Sequence, residues 1–246
     1  MNFDPAIFWE YLFHPSIVRG AELTIFLSVV SQLLGILLGL VAALGRISHS
    51  RIPVFRWISG FYIWLFRGTP LLVQIIFVYF AIPQLTNQRV VIPEVPSAII
   101  ALSLNEGAYM AEIIRAGILS VEGGQMEAAL SLGMTRWLAM RRIILPQAIR
   151  IIIPPTGNEF ISMLKNTSLV AVISAHELLF ATQEIYSATF RYFELLTIAS
   201  LWYLAMTTVA SYLQGKLERR FERGFVREPQ AVGFFGRMMA GALRRG

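Results

Sequence analysis

The chain has no cysteine among its 246 residues. Disulfides and thiolate metal sites are therefore excluded. It has only three histidines, His14, His49 and His176, far apart and in no metal-binding spacing, so no metal site is expected. Charge is scarce as well. Charged residues make up 15% of the chain, against about 25% in a typical soluble domain. No Gly-x-x-x-x-Gly-Lys-Ser/Thr phosphate loop occurs, no nucleophile elbow and no paired catalytic carboxylates, so neither ATP binding of that type nor a reaction is expected.

What is abundant is apolar surface. The chain is 56% hydrophobic with a mean hydropathy of +0.61, which points to lipid as its main solvent. Five apolar stretches stand out: 23–45, 57–82, 97–119, 151–180 and 195–213. The first carries no charge and as a helix runs about 34 Å, enough for a bilayer core of about 30 Å. It is too long for the core of a signal peptide, and an uncleaved first span is expected. Arg67-Gly68-Thr69-Pro70 breaks the second stretch and Pro154-Pro155-Thr156-Gly157 the fourth.

The net charge of +6 is read as topology, with no nucleic-acid partner implied. Loops 46–56, 115–150 and 216–246 hold sixteen Lys and Arg residues; the opposite side holds Arg19, Arg89 and Arg191. That asymmetry assigns the first group to the cytoplasm, which with five spans leaves the N-terminus outside and the C-terminus inside. The expected fold is an all-α membrane protein of five transmembrane helices with a cytoplasmic helix pair. Its expected parts are an extracytoplasmic segment 1–19, a membrane domain 20–215 containing a cytoplasmic loop 120–150, and a basic tail 216–246. That tail is equally consistent with a membrane-surface anchor and an ordinary basic terminus.

The loop Glu127–Pro146 reads as two short helices. Gly133 suits the left-handed position that ends the first, Thr135 suits the cap of the second, and Pro146 follows the second. By residues alone this is either a docking knob or an amphipathic tie between two spans. Six charges fall in or near the spans: Arg67, Arg115 and Lys165 against Glu106, Glu112 and Glu159. Each costs about 2.5–3.5 kcal/mol at mid-membrane, so pairing or a wet cavity is required. Glu112 and Arg115 suit an i,i+3 ion pair. Asn105 and Tyr109 share a helix face with Glu112; Asn158, Ser162 and Lys165 form a second stripe with Glu159 and Asn166 beside it. With Arg67 and Thr69 at the first break, these residues are the expected lining of a polar path.

Glu127-Ala128-Ala129, then Gly133, then Ile144-Leu145-Pro146 resemble the EAA loop of ATP-binding-cassette (ABC) importer permeases. Phe66–Gln74, Leu104-Asn105 with Ala108-Tyr109, Gly157–Ile161 and Leu164–Leu169 are similar to the polar amino-acid branch, whose members import histidine, arginine, glutamine or cystine. The likeness covers residues 20–215. It implies a type I importer permease, non-catalytic, that docks an ABC ATPase dimer through Glu127, Ala128, Ala129, Gly133, Leu145 and Pro146. It further implies a second permease subunit, identical or paralogous, an extracytoplasmic amino-acid-binding protein, and an inner-membrane location. ATP and Mg would be bound by the ATPase, leaving no cofactor in this chain. Glu106 departs from the branch, where small or neutral residues are common, and is expected to tune the path. A membrane-embedded enzyme, with His176-Glu177 as its only hint, and a passive channel with a polar core are the competing readings.

Overall fold

A computed structural model describes residues 3–47 and 53–222. Residues 223–246, most of the expected basic tail, lie outside it, as does Arg51. Among the described residues the secondary structure is entirely helical. In a bilayer a helix satisfies its own backbone, so no strand pairing is needed.

Helix α1 (Pro5–Leu12) starts on an Asp4 cap, whose side chain accepts from the Ala6 N–H at 3.0 Å. Helix α2 (Pro15–Ile47) follows and is long and apolar enough to cross a membrane. It begins well before the apolar stretch at Leu23. Helix α3 (Val54–Gly68) ends at the Gly-Thr-Pro break, and the chain from Leu71 to Leu85 leaves it at 107°. That second limb contains α4 (Leu71–Ile76), a π-helical turn (Phe77–Ala81) and α5 (Ile82–Leu85). The expected second span is thus a bent pair rather than a straight rod.

Helix α6 (Glu94–Ser131) runs far past the third apolar stretch and straight into the EAA-like loop. The first of the two short helices expected there is only its last turns. The second, α7 (Arg136–Ala139), continues through a π-helical turn (Met140–Ile144) into α8 (Leu145–Asn166). Pro146 therefore ends nothing. In the π turn the Leu145 N–H bonds the Met140 carbonyl, and this wide turn leaves a carbonyl without a donor just where Pro146 supplies none. Pro83 stands in the same relation to the π turn before it.

Pro154 and Pro155 also sit inside α8 without breaking it, contrary to the expected interruption. Two polar side chains bond the backbone beside them. Thr156 Oγ1 donates to the Ile152 carbonyl at 2.8 Å, and Gln214 Nε2 to the Pro154 carbonyl at 3.1 Å. The helix does stop at Asn166, inside the fourth apolar stretch. A 3-10 segment (Thr167–Ile173) ends at Ser174 in the left-handed region, φ 60°. Helices α9 (Leu178–Thr189) and α10 (Tyr192–Glu222) complete the chain, and α10 is the second helix long and apolar enough to cross.

The central contact is α2 against α6. It is close because small residues face each other. A Cβ at Gly35 would stand inside contact distance of Glu106 Cγ, and one at Gly39 would collide with Met110 Cβ. Three apolar clusters surround this seam. One joins Leu27, Ile75, Leu102 and Ile173; a second joins Ala43, Met110, Ile118 and Ile144; a third joins Ile17, Leu178, Leu195 and Ile198 under α1.

Candidate functional site

The site grows out of the break at Gly68-Thr69-Pro70. A helix that stops inside an apolar bundle leaves carbonyls without donors. Two amides supply them. Gln74 Nε2 donates to the carbonyls of Phe66 (2.9 Å) and Thr69 (3.1 Å) and to Thr69 Oγ1 (2.8 Å). Asn105 Nδ2 donates to the same Phe66 carbonyl (3.1 Å) and to Gln74 Oε1 (3.0 Å). The bend is thereby tied to α6. Gln74, buried in α4, was visible in the sequence as a lone amide in an apolar run but was not among the expected path residues.

Beside this bend lies a polar cavity of about 600 Å³. Arg67, Thr69, Asn105, Glu106, Tyr109, Glu159, Ser162 and Asn166, all expected path residues, line it together with Gly68, Pro70, Leu71 and Leu169. It holds one guanidinium and two carboxyl groups. Arg67 lies over the Tyr109 ring, 5.3 Å from its centroid. Glu106 is buried and accepts from Gln32 Nε2 of α2 at 2.8 Å. Room for its stem comes from Gly35.

Asn158 and Lys165 are not among the lining residues. Asn158 is exposed and accepts from Gln214 Nε2 at 3.1 Å; Lys165 is exposed and belongs to no ion pair among the described residues. The reason is one residue of helical rotation. At 100° per residue, Glu159, Ser162 and Asn166 share one face, whereas Asn158 and Lys165 stand on its flank. The cation facing the two carboxyls is thus Arg67. Glu112 and Arg115 form the expected ion pair at 2.8 Å, apart from the cavity.

The EAA-like segment is built as a knob. Glu127, Ala128 and Ala129 lie in the last turns of α6. Gly133 has φ 81°; its N–H bonds the Leu130 carbonyl (2.9 Å) and the Met134 N–H bonds the Ala129 carbonyl (3.1 Å), the paired bonds of a Schellman cap. Thr135 Oγ1 accepts from the Leu138 N–H at 3.3 Å and starts α7. Ala129 and Ala139 are buried under the knob, while Leu132 and Trp137 are 83% and 73% exposed. Glu127, Ala128, Gly133 and Pro146 are exposed and Leu145 half-buried, so both ends of the motif reach the surface of one helical turn-and-return.

The residues behind the competing enzyme reading have other work. Glu177 is buried and caps α9, accepting from the Phe180 N–H (2.8 Å), Tyr203 OH (2.7 Å) and Thr24 Oγ1 (3.4 Å). His176 is exposed beside Glu184 at 3.4 Å.

A broken apolar helix at a polar cavity, with a capped knob at the end of the neighbouring helix, defines a type I ABC importer permease. The chain belongs to the family described as the binding-protein-dependent transport system inner membrane component, which it matches over residues 35–223. It is 43% identical over 229 residues to the arginine transport system permease protein of Corynebacterium glutamicum, covering 89% of this chain and 72% of that one. With the glutamine transport system permease protein of Escherichia coli K12 identity is 37%, covering 90% and 99% of the two chains. With the L-cystine permease protein of Bacillus subtilis it is 40%, covering 91% and 95%. Among solved structures, an amino acid ABC transporter crystallised with histidines superposes with a TM-score of 0.82 at 41% identity, over 89% of this chain and all of that one. An inward-facing methionine ABC transporter shares the fold at a TM-score of 0.68 and 17% identity.

Proposed function

We propose that this chain is the membrane-spanning permease subunit of an ABC importer and that it passes polar amino acids through the cavity beside the Gly68-Pro70 bend. The observation that carries the cavity's role is its composition. Arg67 offers a partner to a carboxylate, and Glu106 and Glu159 to an ammonium, in a space of about 600 Å³. A zwitterion presents both charges, and a helix break at mid-bundle is a recurrent place for such sites. The relatives that transport arginine, glutamine and cystine support this substrate class.

The knob from Glu127 to Pro146 is the handle for an ATPase dimer, which binds ATP and Mg and hydrolyses the nucleotide; this chain supplies no chemistry and holds no cofactor. A second permease copy, identical or paralogous, completes the path, and an extracytoplasmic binding protein delivers the substrate. The membrane domain spans 20–215, crosses the inner membrane five times and keeps its N-terminus outside and its C-terminus inside.

Reconstitution of the assembled importer into proteoliposomes tests this. ATP-driven uptake of labelled arginine, histidine, glutamine and cystine is compared between the unmodified importer and variants that still assemble. Glu159→Gln and Arg67→Gln are expected to lower uptake at least ten-fold, while Lys165→Met, outside the cavity, leaves it within about two-fold. Normal uptake in both cavity variants would sink the assigned path. Uptake independent of ATP would favour a passive channel.

A further inference from the structure

We propose that the groove between the end of α2 and α3 is a binding site for the headgroup of an anionic phospholipid. The groove has a volume of about 570 Å³ and is lined by Arg46, Pro53, Arg56, Trp57, Phe61 and Trp64. It does not touch the polar cavity and does not rest on the transport reading.

Two positive groups converge there. Neither Arg46 nor Arg56 forms an ion pair among the described residues. Gly60 lets Arg46 lie across α3: a Cβ at that position would meet Arg46 Nη1 at 3.0 Å. The N-terminus of the fifteen-residue α3 opens beside Pro53 with no side-chain cap among the described residues, adding the positive end of its dipole.

The surroundings identify the anion. Trp57, Phe61 and Trp64 recur at helical spacing and are 76%, 62% and 69% exposed. Tryptophans in such rows mark the level of lipid headgroups. A soluble anion would use the arginines and leave the aromatic row unexplained. A phospholipid with net negative charge uses both, as basic pockets between membrane helices do on the cytoplasmic side.

The test is native mass spectrometry of the detergent-solubilised importer, titrated with dioleoylphosphatidylglycerol or dioleoylphosphatidylcholine. The phosphatidylglycerol adduct is expected to persist at lower lipid concentration than the phosphatidylcholine adduct. Arg46→Gln with Arg56→Gln should weaken it by about thirty-fold, roughly five-fold per arginine. Arg219→Gln with Arg220→Gln, which removes equal charge from the exposed end of α10, should leave it unchanged. Arg46 is half-buried, so Arg56→Gln alone, on an exposed position, serves if the pair fails to assemble; about five-fold weakening is expected. Equal retention of the two lipids, an unaltered adduct in Arg56→Gln, or an equal loss in the α10 control would overturn the site. So would displacement by millimolar inorganic phosphate, which would mean a free-anion site. Release of a permease copy instead of lipid would make the groove a subunit interface and overturn it as well.

Discussion

Glu177 is buried and carries three hydrogen bonds, and through them α2, α9 and α10 meet at one carboxylate. Its replacement by alanine removes a helix cap and leaves the Tyr203 and Thr24 hydroxyls without an acceptor. The expected destabilisation is about 2–4 kcal/mol. Glu177→Gln keeps one carbonyl oxygen and is expected to lose less than half of that. Thermal unfolding in detergent, followed by tryptophan fluorescence, measures both; equal midpoints for Glu177→Ala and the unmodified chain would contradict the network. Gly35 tests the other buried carboxylate. Gly35→Val pushes a branched side chain into Glu106, in a seam with no slack, and is expected to cost about 1–3 kcal/mol and to lower uptake with it. The charged residues themselves were plain in the sequence. Their partners were not, because a stripe one residue out of register, Asn158 and Lys165 against Glu159 and Asn166, looks equally polar along the chain. Only the rotation of α8 separates the two.

At the level of elements, caps and breaks behave differently. The knob obeyed local rules: Gly133 adopts φ 81° and Thr135 caps α7, both decided by neighbours within four residues. Gly133→Val forces a β-branched residue into the left-handed region. The variant is expected to insert normally but to co-purify with several-fold less ATPase, a result that affinity pull-down followed by quantitative staining reads directly. Full stoichiometry with normal transport would place the handle elsewhere. The prolines did not obey the simple rule. Pro146, Pro154 and Pro155 sit in continuing helix, and at Pro146 a π turn accommodates the missing donor. The break at Gly68-Pro70 is real, since Gln74 and Asn105 reward it with four bonds to backbone carbonyls and Thr69 Oγ1. Gln74→Leu would remove the side-chain donor to the half-buried Thr69 and Phe66 carbonyls, and a loss of about 1–3 kcal/mol in stability with reduced uptake is expected.

For the whole molecule, the proposed five-crossing arrangement with the knob on the cytoplasmic side rests on the charge asymmetry along the sequence. The absence of cysteine makes the check simple, because any introduced thiol is the only one. Leu132→Cys at the knob and Val91→Cys before α6 are both on exposed positions, 83% and 67%. In intact cells an impermeant maleimide should label Val91→Cys, and Leu132→Cys only after the membrane is opened. The reverse pattern would invert the topology.

Composition and the apolar stretches were enough to determine an all-helical membrane protein, and the Glu127–Pro146 spacing its capped turn; the permease came from the resemblance of that loop. These features are local or summed along the chain: apolar length sets what lipid can hold, and caps depend on adjacent residues. What tertiary structure alone decided was which polar groups share a space. Arg67 faces Glu106 and Glu159 in place of Lys165, and Gln32 and Gln74 belong to the site's support, because α2, α3, α4, α6 and α8 converge from positions as far apart as residues 32 and 166. Such contacts follow from helix rotation and from the glycine-lined approach of α2 to α6, and neither quantity is written in the order of residues along one helix.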